Sequence, residues 1–121
     1  MKRLYALLPA LAIWGLTSCH HHGIDIRYSD SSRYYTMRAH FDRDKMEKLE
    51  KYLDDMFGDD HDMSFRHTRI DGDLSFDRHS HFYMKKSPGV LIIKVDKRNN
   101  SRESYHRIRH VCEGVKEIII R

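Results

Sequence analysis

Hydrophobic and polar side chains alternate over residues 33–41. One face of this segment carries Tyr35, Met37, Ala39 and Phe41. Such alternation is typical of a strand with one buried face, and it places Tyr34 on the outward face. Residues 19–32, which precede the strand, are polar and rich in Ser and Asp, so we expect a flexible tether there.

Two later segments carry apolar residues at helical spacing. The first predicts a helix over residues 45–57, with Asp44 and Glu47 as a capping box. The second follows Asn100 and Glu103, which we expect to cap it in the same way. The apolar stripe of this second helix consists of Tyr105, Ile108, Val111, Cys112, Val115, Ile118 and Ile119.

Turn signals divide the segment between the two helices into strands. Asp71-Gly72 suits a tight hairpin turn between a strand over residues 63–70 and one from Leu74 onward. Ser87-Pro88-Gly89 suits a type II turn, and the continuous apolar run Val90 to Ile93 that follows it is typical of an inner strand covered on more than one side. Residues 73–86 form either one bent strand or two.

The predicted order of elements is β-α-β-β-β-α. Both helical stripes can be buried at once when they lie on the same face of an antiparallel sheet. We therefore expect an α+β fold, a two-layer sandwich, built as one small domain over residues 33–121.

The N-terminal residues have the pattern of an export signal. Lys2 and Arg3 precede a thirteen-residue apolar run from Leu4 to Leu16, which is shorter than the roughly 18 residues of a membrane-spanning helix. The run ends in Leu16-Thr17-Ser18-Cys19, which resembles the lipobox of bacterial lipoproteins. The resemblance covers residues 1–19 only. The alternatives are an ordinary secretory signal cleaved elsewhere and an uncleaved anchor.

The resemblance implies that residues 1–18 are a removable signal peptide and that Cys19 bears the lipid. In that family the thiol receives a diacylglyceryl group, the chain is cut before the cysteine, and the new amino group is usually acylated. Two or more acyl chains hold a protein stably on a bilayer. The family's inner-membrane retention signal is an aspartate after the cysteine, and His20 stands there. We therefore expect an outer-membrane lipoprotein of the cell envelope, facing either the periplasm or the outside.

Removal of the first 18 of 121 residues leaves 103, enough for one domain. The formal charge falls from +4 to +2 when Lys2 and Arg3 leave with the signal. Acidic and basic residues are interleaved along the chain, so no nucleic-acid partner is expected. With Cys19 lipidated, Cys112 is the one remaining thiol, and it is buried, free or paired between chains.

All ten histidines lie in the mature chain, and histidine binds metals and senses pH. His79 and His81 are two residues apart, so on a strand they share a face, and His67 on a neighbouring strand is a candidate third ligand. Such a site would take Zn, Cu or Ni. The consecutive histidines His20–His22 either bind such an ion weakly or serve as a polar spacer.

Four further polar residues fall opposite the apolar stripe of the second predicted helix: His106, His110, Glu113 and Glu117. They form either a face that binds a cation or a partner, or a solvated surface. A zincin site is excluded, because no glutamate follows His106. Residues 59–62, Asp59-Asp60-His61-Asp62, are either a calcium-attracting loop or a polar connection.

No catalytic motif is present, so we expect a protein that is not an enzyme. The first hypothesis is a lipid-anchored lipoprotein that presents a small α+β domain to a protein partner or an assembly in the envelope. An exposed aromatic or apolar patch on the open sheet face would favour it. The alternative is a histidine-based metal-binding or pH-responsive periplasmic module, which requires His67, His79 and His81 to converge.

Overall fold

The structure is a computed structural model that describes residues 23–57, 64–76 and 79–121, apart from the side chain of Phe76. Several predicted features lie outside the described residues: the signal peptide 1–18, Cys19, His20–His22 and the acidic loop 59–62.

Within the described residues, five strands and two helices form the domain. In chain order they are β1 (Asp25–Asp30), β2 (Tyr34–His40), α1 (Met46–Phe57), β3 (Ile70–Phe76), β4 (Ser80–Ser87), β5 (Val90–Asp96) and α2 (Arg102–Ile120). The strands pair antiparallel in the order β1-β2-β5-β4-β3. Short 3-10 turns, Arg43–Lys45 and Lys97–Asn99, precede the two helices. The predicted α+β fold is confirmed, with one strand more than expected.

The additional strand is β1, which lies within the segment expected to be a flexible tether. All six of its residues pair with β2, from Asp25 opposite His40 to Asp30 opposite Tyr35. Ile24 and Ile26 are partly buried against the core. The prediction of a tether over residues 19–32 is therefore wrong for β1. The pattern was weak because β1 is an edge strand in which every residue except Ile26 is exposed.

The core lies between one face of the sheet and the two helices. Alternate residues of β2 are buried there as the sequence pattern predicted, and alternate residues of β5 are buried beside them. Met37, Ile93 and Val95 are completely enclosed. Cys112 is also enclosed, within the apolar stripe of α2. The expected strand face and helix stripe are both confirmed. The inner position of β5, between β2 and β4, agrees with its continuous apolar run. The expected cover on more than one side is wrong, because only alternate residues of β5 are buried and Ile92 is partly exposed on the other face.

The two helices run antiparallel on the same face of the sheet. The ammonium group of Lys45, just before α1, donates to the carbonyl oxygen of Arg121, just after α2, at 2.6 Å. Midway, the Tyr52 hydroxyl donates to the carbonyl oxygen of Val111 at 2.9 Å. Burial raises the pKa of Tyr52 to about 12. A glycine at position 114 permits this approach, because a Cβ there would lie 2.8 Å from the Cζ atom of Tyr52.

At the start of both helices, the residues that cap the helix differ from those predicted from the sequence. Asp44 lies inside a 3-10 turn, in which the Lys45 amide donates to the Asp42 carbonyl at 3.0 Å, so α1 begins at Met46 without the expected capping box. For α2 the capping side chain is that of Ser101, whose hydroxyl accepts from the Ser104 amide at 3.0 Å.

The predicted turn at Asp71-Gly72 is wrong, because both residues lie inside β3 and pair with Lys85 and Met84. The chain reverses instead between Phe76 and Ser80, so residues 73–86 belong to two strands. Residues 64–69 lie outside the strands. The β4–β5 turn is confirmed, and Gly89 adopts the positive φ of 79° that a type II turn requires.

One ion pair is buried beneath α1. The Lys86 ammonium group lies 2.5 Å from a carboxylate oxygen of Glu50, and both residues are buried. The other oxygen of Glu50 accepts from the His67 amide at 3.3 Å. His67 has a φ of 56°, a left-handed conformation that is uncommon for residues other than glycine. The Glu50 side chain thus ties α1 both to β4 and to the segment before β3.

Candidate functional site

The face of the sheet opposite the helices is not covered by any described element, and we call it the open face. Strand register brings residues from four strands side by side on it. Thr36 pairs with Lys94, Lys94 with Tyr83, and Tyr83 with Asp73. One row across β2, β5, β4 and β3 therefore combines a hydroxyl, an ammonium group, a phenol and a carboxylate.

A groove of about 810 Å³ lies on this face. Its lining consists of Tyr34, Asp73, Leu74, Ser75, His81, Phe82, Tyr83, Lys94, Asp96 and Asn99. Most of these residues lie toward the end of the sheet at which β5 finishes and β4 begins. We call this the distal end, because it is the end farthest from Asp25, the first residue of β1.

Tyr34 forms one wall of the groove, and two cations contact its ring. The Lys94 ammonium nitrogen lies 4.3 Å from the ring centroid, and the Arg33 guanidinium carbon lies 5.0 Å from it. Arg33 also pairs with the Asp96 carboxylate at 3.3 Å. Hydrogen bonding from the Arg98 amide, followed by the bond from Arg33, lowers the pKa of Asp96. The outward position predicted for Tyr34 is confirmed.

Tyr83 forms the opposite wall and is held by the edge strand. Its hydroxyl donates to the Asp71 carboxylate at 2.6 Å, and this hydrogen bond raises the pKa of Tyr83. Asp71 and Asp73 both project from β3 on the open face, so the Tyr83 side of the groove is acidic. The sequence pattern did not point to Tyr83, because its position beside Lys94 depends on the pairing of β4 with β5.

Asn100 fixes the distal rim of the groove. Its side-chain oxygen accepts from the His81 amide at 2.7 Å, and its side-chain nitrogen donates to the carbonyl oxygens of His81 and Asp96, each at 2.9 Å. These bonds connect β4 to the end of β5. Asn100 was expected to cap α2, and it instead holds the backbone on both sides of the groove.

The groove combines tyrosine rings with charged groups. Tyrosines beside charged groups are frequent where proteins bind each other, because the ring offers apolar area and the hydroxyl a polar contact. Cys112 is not available to the groove, since it is enclosed in the helix layer and burial raises the pKa of its thiol. Of the alternatives left open for Cys112, the structure shows a buried, free thiol.

A second, smaller cleft of about 400 Å³ lies on the helix side, between β1 and α2. Tyr28 is 42% exposed there, and its neighbour Asp30 is the centre of a polar cluster. The Asp30 carboxylate accepts from the Lys97 ammonium group at 2.5 Å and from the Tyr105 hydroxyl at 3.3 Å, and it lies 3.6 Å from Arg109. This cluster connects the end of β1 to the start of α2.

The histidine metal site expected from the sequence is not assembled. His67 precedes the start of β3, where Ile70 pairs with Lys86, whereas His79 and His81 lie at the opposite end of β4. The strand rise of about 3.3 Å per residue separates these two ends by roughly 20 Å. Across residues 23–57, 64–76 and 79–121, no group of three or more His, Cys, Asp or Glu side chains is placed to hold a metal ion.

The predicted polar face of α2 is present on the surface of the domain. His106, His110, Glu113 and Glu117 are all exposed at helical spacing. Glu113 pairs with Arg109 at 3.5 Å and borders the smaller cleft. These positions fit the interpretation as a solvated helix face better than the interpretation as a ligand set.

The fold and the groove define a two-layer α+β domain with one open, grooved sheet face. Neither of the helices that the structure describes has the length and apolar character that crossing a membrane requires. Comparison of the chain with protein-family profiles, with curated protein sequences and with solved structures found no match.

Proposed function

We propose that this protein is a non-catalytic, lipid-anchored lipoprotein of the bacterial cell envelope, and that the groove on its open face binds a protein partner. Cys19 is the residue that would bear the lipid, and the outer membrane is the expected location. The observation that carries the binding part of the proposal is the groove itself, in which Tyr34 and Tyr83 flank Lys94 on a face that none of the described elements covers.

The distribution of charge in the groove supports a protein partner. Lys94 and Arg33 contact the Tyr34 ring, with Arg33 also paired to Asp96, and carboxylates line the Tyr83 side. Charged groups of both signs therefore flank the groove. A partner with complementary charges of both signs would be held in one orientation, because mismatched charges at an interface cost free energy. Tyr34 and Tyr83 are the positions expected to contribute most to binding, since tyrosines are enriched among dominant interface residues.

Site-specific photocrosslinking in living cells tests the proposal. A photoreactive amino acid replaces Lys94 in the groove, and the matched control replaces Lys51, an exposed lysine on α1 in the other layer. We expect a discrete crosslinked adduct with one protein from position 94 and none from position 51. Tyr34→Ala, added to the position 94 probe, should weaken that adduct, because the substitution removes one wall of the groove.

Two results would contradict this proposal. One is an adduct pattern that is the same from positions 94 and 51. The other is an adduct that persists at full strength with Tyr34→Ala in a protein whose unfolding midpoint is unchanged. Cys19→Ser tests the anchor separately, because that variant should leave the membrane fraction while the parent protein stays in it.

A further inference from the structure

The chain available as a tether is short. The described domain begins with Gly23, and Ile24 already packs against the core. Four residues lie between Cys19 and Ile24, which makes five steps from one Cα atom to the next. A fully extended backbone spans at most about 3.5 Å per step, so the tether reaches no farther than roughly 17 Å. A tether that extended to residue 32, as the sequence suggested, would have reached more than twice as far.

This reach is smaller than the domain. A chain of about 100 residues folds to a radius of gyration of about 13 Å, so its diameter exceeds the length of the tether. If Cys19 carries the lipid, the domain therefore stays against the bilayer, and the part of its surface nearest to Ile24 faces the lipid headgroups. This step rests on the proposed lipid attachment.

The structure identifies the surface nearest to Ile24. Asp25 pairs with His40, His40 with Val90, and Val90 with Ser87, so the β4–β5 turn lies at the same end of the sheet as the start of β1. The Phe41 amide donates to the Gly89 carbonyl at this end. We call it the basal end.

The helix layer contributes to the basal end as well. The contact between Lys45 and the Arg121 carbonyl places the end of α2 beside the start of α1. The Gly89 amide donates to the sulfur of Met46 at 3.4 Å, which connects the start of α1 to the β4–β5 turn. Ile120 is half exposed there, more than any other large apolar side chain in the described residues.

The charges at the basal end are mixed. Arg43, Lys45, Arg69 and Arg121 lie there together with Asp25, Asp42 and Asp44, so both signs of charge face the headgroups. Contact with the bilayer would come from the short tether and from exposed apolar area at Ile120, without a requirement for a particular headgroup charge.

We infer that the basal end of the domain lies on the lipid headgroups and that the groove faces the aqueous compartment. The sheet extends six residues from the His40–Val90 pair to the Tyr34–Asp96 pair, a rise of about 20 Å, so the distal groove lies above the basal end by that distance. The partner is accordingly a protein that approaches the membrane surface from the aqueous side.

Tryptophan fluorescence tests this orientation with the full mature chain. The chain's one tryptophan is Trp14 in the signal peptide, so each tryptophan introduced into the mature protein reports a single position. Ile120→Trp places the probe at the basal end, and Arg102→Trp places it at an exposed position at the other end of α2. The acylated variants are reconstituted in phosphatidylcholine vesicles, with and without a nitroxide on the lipid headgroup.

We expect the nitroxide to quench the basal probe at least about twofold more than the distal probe, because 18 residues of helix at 1.5 Å each separate them by about 27 Å. Equal quenching at the two positions, or none at either, would overturn the inferred orientation. Thermal unfolding checks that both variants are folded. If Ile120→Trp does not fold, Pro88→Trp in the β4–β5 turn provides a second basal probe.

Vesicle flotation separates failure of the orientation from failure of the anchor. If the parent protein floats with the vesicles while the probes are quenched equally, the anchor stands and the orientation is wrong. If the parent protein does not float and Cys19 carries no lipid, both the anchor and the orientation are wrong.

Discussion

The ion pair between Glu50 and Lys86 is a case in which single side chains join three parts of the fold. Lys86 is 1% exposed and Glu50 6%, and the carboxylate also accepts from the backbone before β3. Burial removes both groups from water, and the pair compensates this cost only while both partners are present. The positions of α1, β4 and the segment before β3 therefore depend on one another.

Glu50→Ala should reduce the free energy of unfolding by about 3–5 kcal/mol, because it leaves the Lys86 ammonium group buried without a counter-charge. Urea denaturation of the mature chain carrying Cys19→Ser measures this. Glu103→Ala, which breaks an exposed pair with Arg107 at 3.7 Å, is the control and should cost less than about 1 kcal/mol. Equal small losses in the two variants would contradict this account. If Glu50→Ala does not fold, the Glu50→Gln, Lys86→Met double variant should recover most of the stability.

The contact between the helices depends on Gly114. In an ordinary helix interior a change from glycine to alanine stabilises by about 1 kcal/mol. Gly114→Ala should instead destabilise by about 1–3 kcal/mol, because the new methyl group would overlap the Tyr52 side chain. The same substitution at Gly72 in β3 meets no atom within 4 Å, so it should be neutral or stabilise by up to about 1 kcal/mol. The two melting temperatures, compared with the parent, check the prediction. A stabilising Gly114→Ala would show that the helices do not approach as described.

At the scale of elements, β1 is held at its two ends in different ways. Its first half packs Ile26 against the core, and its last residue, Asp30, is bound by Lys97, Tyr105 and Arg109. The hydrogen bond from Lys97 is the largest cause that lowers the pKa of the Asp30 carboxyl, and the Arg109 charge lowers it further.

This shift predicts how β1 responds to acid. A carboxyl whose pKa is lowered by folding adds stability above its unfolded pKa of about 3.9, and that stability is lost as the pH falls through the lower folded value. Asp30→Asn should therefore reduce the loss of stability below about pH 4. Urea midpoints measured from pH 5 to pH 2 test this. Lys97→Met removes the hydrogen bond that contributes most to the lowered pKa of Asp30, so it should reduce the loss of stability in acid in the same way. Parallel pH profiles for parent and variants would contradict the role given to Asp30.

The elements differ in how far the sequence predicted them, and burial explains the difference. Both helices, β2 and β5 bury whole faces, so their apolar spacing was visible in the chain. β1 is an exposed edge strand whose stability comes from pairing with β2, and its own pattern was therefore weak. Asp71-Gly72 suits a turn locally, but pairing with β4 keeps both residues in β3.

The groove could be predicted only in part. The alternation in β2 placed Tyr34 outward, but its neighbours come from β5 and β4, more than 40 residues later in the chain. Which residues of those strands lie beside Tyr34 depends on strand order and register, and spacing within one strand specifies neither. The same limitation explains why the predicted histidine site is not formed. His67 was assigned to a strand, but it lies before β3, whose first residue pairs with Lys86 at the end of β4 opposite His81.

At the scale of the whole molecule, we propose that one end of the domain lies on the membrane and that the other end binds the partner. The basal end carries the start of β1 and, through a short tether, the proposed lipid on Cys19. The distal end carries the groove between Tyr34 and Tyr83. The location and the orientation of the domain both depend on lipid attachment at Cys19.

Intact-mass spectrometry of the full chain, expressed in Gram-negative cells and extracted from their membranes, tests this attachment most directly. We expect a mature protein that begins at Cys19 and carries a diacylglyceryl group on the thiol and an acyl chain on the amino group. A chain that retains Met1, or one that begins at another residue with an unmodified cysteine, would contradict the lipid anchor and the orientation derived from it.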